Sequence, residues 1–185
     1  MIEVFIESYS ESSRTHIDFA WNGRHSDEFA DSNQEFRWEV ARRCIATPDR
    51  ASVLLLEHLF LADAEWAREA RRPPEHFAQL GSTLLNRGEL TAVSPFLKGL
   101  VHSFDTLGSS HEIRLPAGLV VRLRQAAEES LSTENEEQRQ ALEDVLELFG
   151  KRKKRKVDDV FCDVRINHLC GPGRSGQCKE AGDGE

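Results

Sequence analysis

Between Val53 and Trp66 the chain carries Val53, Leu54, Leu55, Leu56, Leu59, Phe60, Leu61 and Trp66, its densest apolar run. At 3.6 residues per turn these side chains cover almost the whole circumference of a helix, and such a helix belongs in the middle of a fold. Glu57, His58 and Asp63 interrupt the run, so it is too short and too polar to span a bilayer. A helix over about 50–70, stopped by Arg71-Arg72-Pro73-Pro74, therefore calls for other helices around it.

The rest of the chain supplies them. Ser32-Asn33-Gln34-Glu35 fits a capping box and opens a helix with Phe36, Val40 and Cys44 on one face, ended by Thr47-Pro48. Asp49 is then placed to cap the central helix. Pro74 can open a third helix carrying Phe77, Leu80, Leu84 and Leu85, with Gly88 as its stop. Ser94-Pro95 opens a fourth with Phe96, Leu97, Leu100, Val101, Phe104 and Leu107, ended by Gly108. Pro116 opens a fifth with Leu119, Val120, Leu123 and Ala127, and Thr133-x-x-Glu136 caps a sixth with Leu142, Val145, Leu146 and Phe149. The six helices group as 32–47 with 50–70, 74–87 with 94–107, and 116–131 with 134–149. Pair starts spaced by about 40 residues suit either an irregular bundle of antiparallel pairs or a short α-solenoid. The pairs share no sequence signature, which tips the reading to the bundle.

Ahead of the helices, residues of about 1–23 read as a small β-hairpin. Ile2, Val4 and Ile6 alternate with Glu3, Phe5 and Glu7, and Ile17, Phe19 and Trp21 repeat the pattern before Asn22-Gly23. The opening run has no basic lead and is not read as a signal peptide.

Charge divides the chain in two. Residues 1–150 hold 15 basic and 26 acidic residues, a net of −11, whereas 151–185 hold nine Lys/Arg and six Asp/Glu, a net of +3. The expected organisation is a helical domain over 1–150 and a basic, largely flexible tail over 151–185. An acidic body repels phosphate backbones, so nucleic acid is expected only at the tail, through the six cations Lys151–Lys156. That run also suits a targeting signal, or a simple fold-back onto residues 128–149, which hold eight acids against Arg139 alone.

Chemistry-bearing groupings are sparse. Cys162, His168, Cys170 and Cys178 are zinc-competent residue types, but no C-x₂₋₄-C knuckle brings two thiolates to one ion, and Cys44 stands alone. His58 lies in the central helix beside Glu57, with Glu65 two turns on, and is the one place where a metal-dependent bundle enzyme could start. No H-E-x-x-H or E-x-x-H spacing completes such a set, so His58 is read as a hydrogen-bonded core or boundary histidine. Gly108-Ser109-Ser110-His111 sets hydroxyls beside an imidazole without triad geometry. Gly171-Pro172-Gly173 matches no phosphate-binding loop. Trp21, Trp38 and Trp66 fall at core or edge positions rather than on a base-stacking platform.

No catalytic, cofactor-binding or metal-ligating residue is therefore assigned, and no cofactor is expected. The reading that remains is a cytoplasmic, acidic helical module for protein–protein interaction: an adaptor, a regulator or an immunity-type inhibitor. Its partner would be another protein with a basic surface, and no membrane is involved. The alternatives are a metal-dependent helical-bundle enzyme with its site near His58, and a nucleic-acid-associated factor using the tail.

Overall fold

A computed structural model describes residues 1–115, 118–122 and 125. The described chain is mainly helical and contains no named strand. Its helices are α1 (Ile2–Glu7), α2 (Gln34–Ala46), α3 (Val53–Ala70), α4 (Phe77–Gly88), α5 (Val93–Leu100) and α6 (Phe104–Gly108), joined by short 3-10 turns. None of the described helices is long and apolar enough to cross a membrane.

The apolar run does form the centre. Ser52 caps α3 by accepting a hydrogen bond from the Leu55 amide at 3.2 Å. At the other end Arg71 takes a left-handed conformation (φ 55°) and closes the helix before Pro73 and Pro74. α3 makes its most extensive contacts with α4 and α5, and it also touches α2 and α6. Leu55, Leu56, Leu59 and Phe60 are all fully buried.

Phe60 sets the packing distance. Its ring lies nearly parallel to Phe77 (4.5 Å between centroids) and to Phe96 (5.5 Å). A side chain at Gly99 would put its Cβ 2.6 Å from the Phe60 ring, and one at Gly81 would sit 2.9 Å from it. A glycine inside a helix costs about 1 kcal/mol relative to alanine. Here it lets α4 and α5 close directly on the aromatic stack.

The structure corrects several sequence expectations. The β-hairpin over about 1–23 does not form. Ile2–Glu7 is helical, and Ile2, Phe5, Ile6 and Tyr9 lie on the core side while Val4 is 67% exposed. A six-residue apolar run fits both periods, and the spacing 2, 5, 6, 9 is the helical one. Residues Glu11–His16 form a 3-10 turn, and the segment around Trp21 pairs only through an isolated bridge to Asp31. An isolated two-stranded hairpin has little to stabilise it, whereas α1 packs Phe5 edge-on against Phe36 at 5.0 Å.

The antiparallel pairs are not the organising unit either. α3 is shared by α2, α4, α5 and α6, a hub that a stack of helix pairs would not have. Caps differ as well: α2 starts after Asn33, with no Ser32–Glu35 box, and Asp49 lies in the 3-10 turn Pro48–Arg50 while Ser52 caps α3. The helix expected over 94–107 is two, because Ser103 and Thr106 form a capping box that restarts the chain as α6. The helices expected over 116–131 and 134–149 and the tail over 151–185 lie outside the described residues, apart from 118–122 and 125.

Candidate functional site

On α2 the buried set is Arg37, Val40, Ala41 and Cys44, the i, i+3, i+4, i+7 pattern of a core-facing stripe. Its first member is an arginine whose side chain is wholly removed from solvent. The guanidinium donates from Nε to Asp63 Oδ1 at 2.8 Å and from Nη2 to Asp31 Oδ2 at 2.7 Å, and both carboxylates are also fully buried. Asp63 further accepts from Trp38 Nε1 at 3.2 Å, and its Oδ2 lies 2.8 Å from His76 Nε2. Asp31 Oδ1 accepts the amides of Ala20 (3.0 Å) and Asn33 (3.1 Å). No buried side-chain nitrogen or oxygen among the described residues lacks a partner. A buried charge is tolerated only when paired and hydrogen-bonded in this way.

This network anchors a loop. Between Asp18 and Asn33 the chain leaves the core and returns, and several bonds cross-brace the loop from within. Asn22 bridges it: Nδ2 donates to the Glu28 carbonyl at 2.6 Å, while Oδ1 accepts the amides of Arg24 (3.1 Å) and Ala30 (3.2 Å). Asn22 N–H reaches the Ala30 carbonyl and Ser32 N–H the Ala20 carbonyl. Asn33 Nδ2 ties the return to the Thr15 and Asp18 carbonyls, each at 2.9 Å. Gly23 turns the tip at φ 75°, a conformation that glycine adopts without steric cost.

The loop carries aromatic side chains. Phe19, Trp21 and Phe29 are each half-buried. Trp21 is pinned by its indole N–H to the Arg24 carbonyl at 2.8 Å, and His25 leans on its ring at 4.9 Å. From Phe29 the contacts run inward to Trp66 (5.9 Å), then Trp38 (5.0 Å), then His76 (5.7 Å). A continuous path of rings thus joins the half-buried loop to the buried ion network. Trp66 is additionally fixed by donation to Gln34 Oε1 at 2.8 Å. A loop held this firmly loses little conformational entropy when it docks, and tryptophan is enriched among the residues that dominate binding energies.

His58 sits elsewhere, at the contact of α3 with the N-terminal segment. Its Nδ1 is 2.6 Å from the Tyr9 hydroxyl and its Nε2 is 3.5 Å from a Glu11 carboxylate oxygen. Both ring nitrogens thus face Tyr9 and Glu11, not Glu57 or Glu65. Burial, with the nearby Glu11 and Asp18 charges, pushes the Tyr9 hydroxyl up to about 12. Tyr9 keeps its proton at neutral pH and is not a nucleophilic phenolate. Among the described residues no cluster of three or more His, Cys, Asp and Glu is arranged to hold a metal. Ser109 donates to the Thr106 carbonyl at 2.7 Å, and the His111 ring turns to the Gly108 carbonyl and Glu112. Cys162, His168, Cys170, Cys178 and the Lys151–Lys156 run lie outside the described residues.

A shallow depression of about 160 Å³ lined by Glu3, Ile6, Arg43, Ala46, Thr47 and Arg50 shares no residue with the loop or the network. Its arginines already face carboxylates, Arg43 with Glu3 and Glu39 and Arg50 with Glu7.

Sequence reasoning missed the Arg37 network. Two signals were present: an arginine on the 37, 40, 41, 44 stripe, and Asp63 inside the most apolar helix. Compared with known proteins, the chain matches no family model, no curated protein sequence and no solved structure.

Proposed function

We propose that this chain is a protein–protein interaction module, an adaptor, regulator or immunity-type inhibitor acting in the cytoplasm, and that it meets its partner through the aromatic loop 18–33. One observation carries the reading: a loop with three half-buried aromatic residues, cross-braced by its own side chains and footed on a buried ionic network. Such preorganisation favours tight docking. The acidic excess of residues 1–150 favours a partner with a basic surface.

The metal-dependent reading near His58 gains nothing from a ring held by Tyr9 and Glu11. The nucleic-acid reading rests on the Lys151–Lys156 run alone.

The test is capture from native lysate at low and physiological salt, comparing the wild-type chain with Trp21→Ala. The expected result is a specific protein whose retention falls about thirtyfold on substitution, the loss of about 2 kcal/mol that a central aromatic contact supplies. Recovery of nothing at either salt, or equal recovery by both forms, would count decisively against the loop as a contact surface.

A further inference from the structure

His76 belongs to the buried network by one ring nitrogen and leaves it by the other. The residue is 8% exposed, and its Nε2 lies 2.8 Å from Asp63 Oδ2. Asp63 is ion-paired with the Arg37 guanidinium, and a carboxylate only accepts, so Nε2 carries a proton and donates it. In the neutral ring that leaves a lone pair on Nδ1, directed away from Asp63. Nδ1 has no hydrogen-bond partner among the described residues. None of their buried side-chain nitrogens lacks one, so Nδ1 is open to solvent.

The same residue opens α4. His76 is the N-cap of this 12-residue helix, and its side chain makes no capping bond. The Phe77 amide is given to the Pro74 carbonyl at 3.0 Å, and the Leu80 amide to the His76 carbonyl at 2.8 Å. Between them the amides of Ala78 and Gln79 have no acceptor among the described residues, as is usual for a helix start. Nδ1 is bonded to Cγ, so it lies on the main-chain side of the imidazole, at this first turn. An open lone pair and open N–H donors therefore share one helix N-terminus, with the positive end of the helix dipole behind them.

Few ligands suit both halves. A metal ion would take the lone pair but meet the positive end of the helix, and a single imidazole does not make a metal site. A free carboxylate or sulfate would take the amides but turn its own lone pairs on Nδ1. A phosphoryl group bonded to Nδ1 satisfies both, because the lone pair becomes the N–P bond and the anionic oxygens meet the amides. Charge favours the same product. With a neutral ring, the network sets Arg37 against the two carboxylates of Asp31 and Asp63. Bonding phosphorus to Nδ1 makes the ring a cation while its Nε2–H stays on Asp63, and so supplies the second positive charge. In the turn that leads to His76, exposed Arg71 and Arg72 outnumber exposed Glu75.

We infer that His76 is a phosphoryl-acceptor site, modified at Nδ1 by a donor of the acyl-phosphate or phosphoramidate class, with Asp63 as its positioning residue. The Nδ1 lone pair forms the N–P bond as the bond from phosphorus to the leaving group breaks. With phosphoramidate, whose nitrogen already carries its third proton, ammonia leaves and no other proton moves. The site is independent of the reading of loop 18–33 as a contact surface.

The test treats the full-length chain with potassium phosphoramidate at neutral pH. Labelling is followed at each of its 7 histidines by peptide mapping without acid, and the product is characterised by phosphorus and nitrogen NMR. The expected product is an acid-labile phosphoramidate on His76, attached at Nδ1 with Nε2 still protonated. It should form about tenfold faster than at the exposed His16 and His25, a difference of about 1.4 kcal/mol in barrier. The exposed histidines react in the same tube, so this comparison needs no variant. His76→Gln is expected to abolish the product and leave the labelling of His16 and His25 unchanged. Labelling of His76 no faster than of the exposed histidines, attachment through Nε2, or a product that persists in His76→Gln would each overturn the inference. So would an anion site only, in which inorganic phosphate shifts the Ala78 and Gln79 amide signals but phosphoramidate leaves no covalent product.

Discussion

Phe60 and Asp63 stand three residues apart on α3, both are fully buried, and the protein holds them by opposite means. Around Phe60 the contacts are aromatic and non-directional, and glycines at 81 and 99 let the neighbouring backbones close in. The Asp63 carboxylate is held by directed hydrogen bonds from Arg37, Trp38 and His76. The first arrangement answers to volume, so small changes of size bring graded losses. The second answers to completeness, because removing one member leaves the others charged and dry. The complete, directional end is the one that carries the aromatic loop.

The largest effect is expected from Arg37→Ala. It strands Asp31 and Asp63 together and should cost about 3–5 kcal/mol in denaturant unfolding, with the Trp38 and Trp66 fluorescence altered before global unfolding. A smaller loss would mean that water enters and solvates the carboxylates, and the contrast between the two ends would weaken.

Gly99→Ala attacks the other end. Its Cβ would meet Phe60 at 2.6 Å, and overpacking of this kind costs about 1–3 kcal/mol. Gly108→Ala is the control, since nothing lies within 4 Å of its Cβ position and its backbone is helical at φ −57°. It should be neutral or slightly stabilising, within about 1 kcal/mol. If both substitutions behave alike, the close approach to Phe60 does not govern the packing.

Ser52→Ala removes the cap of the helix that both ends share and should cost about 1 kcal/mol. Hydrogen exchange should show Phe60 and Asp63 amides losing protection together. Loss at one end alone would separate the two ends into independent units.

The smallest effect concerns alkaline pH. Burial pushes the Cys44 thiol from 9.0 to about 12 and is the main cause of Tyr9 moving from 10.0 to about 12. In both cases the folded state keeps its proton to higher pH than the unfolded chain, so stability falls as pH rises from about 9 towards 12. Thermal melts across that range should show the decline. In the folded protein at pH 8, peptide mapping after brief iodoacetamide treatment should find Cys44 unmodified, and rapid modification would contradict its burial among Arg37, Val40 and Ala41.

What could be read in advance follows from the range of the interactions. α3 was legible because its pattern repeats every turn within eighteen residues, and Arg71 to Pro74 end it by local backbone sterics. α2 and α4 were placed for the same reason, within one to three residues at their starts. The N-terminal run was misread because six residues hold too few repeats to separate period 2 from period 3.6. The division of 94–107 was hidden because the Ser103–Thr106 capping box spans only three residues inside an unbroken apolar pattern. His58 was correctly placed as a hydrogen-bonded, buried histidine, but its partners Tyr9 and Glu11 come from a segment 49 and 47 positions away and carry no shared pattern.

By itself the sequence determined that this chain is built from amphipathic helices around one apolar rod, because helix formation and hydrophobic burial are written into spacing a turn or two long. Only the tertiary structure decided what becomes of the charges and the aromatic rings. Arg37 meets Asp63 across 26 residues and His76 meets Asp63 across 13, while Phe19, Trp21 and Phe29 become neighbours through a loop whose bonds close on themselves. A buried charge or an aromatic face is defined by what surrounds it in space, and that environment exists only once the chain has folded.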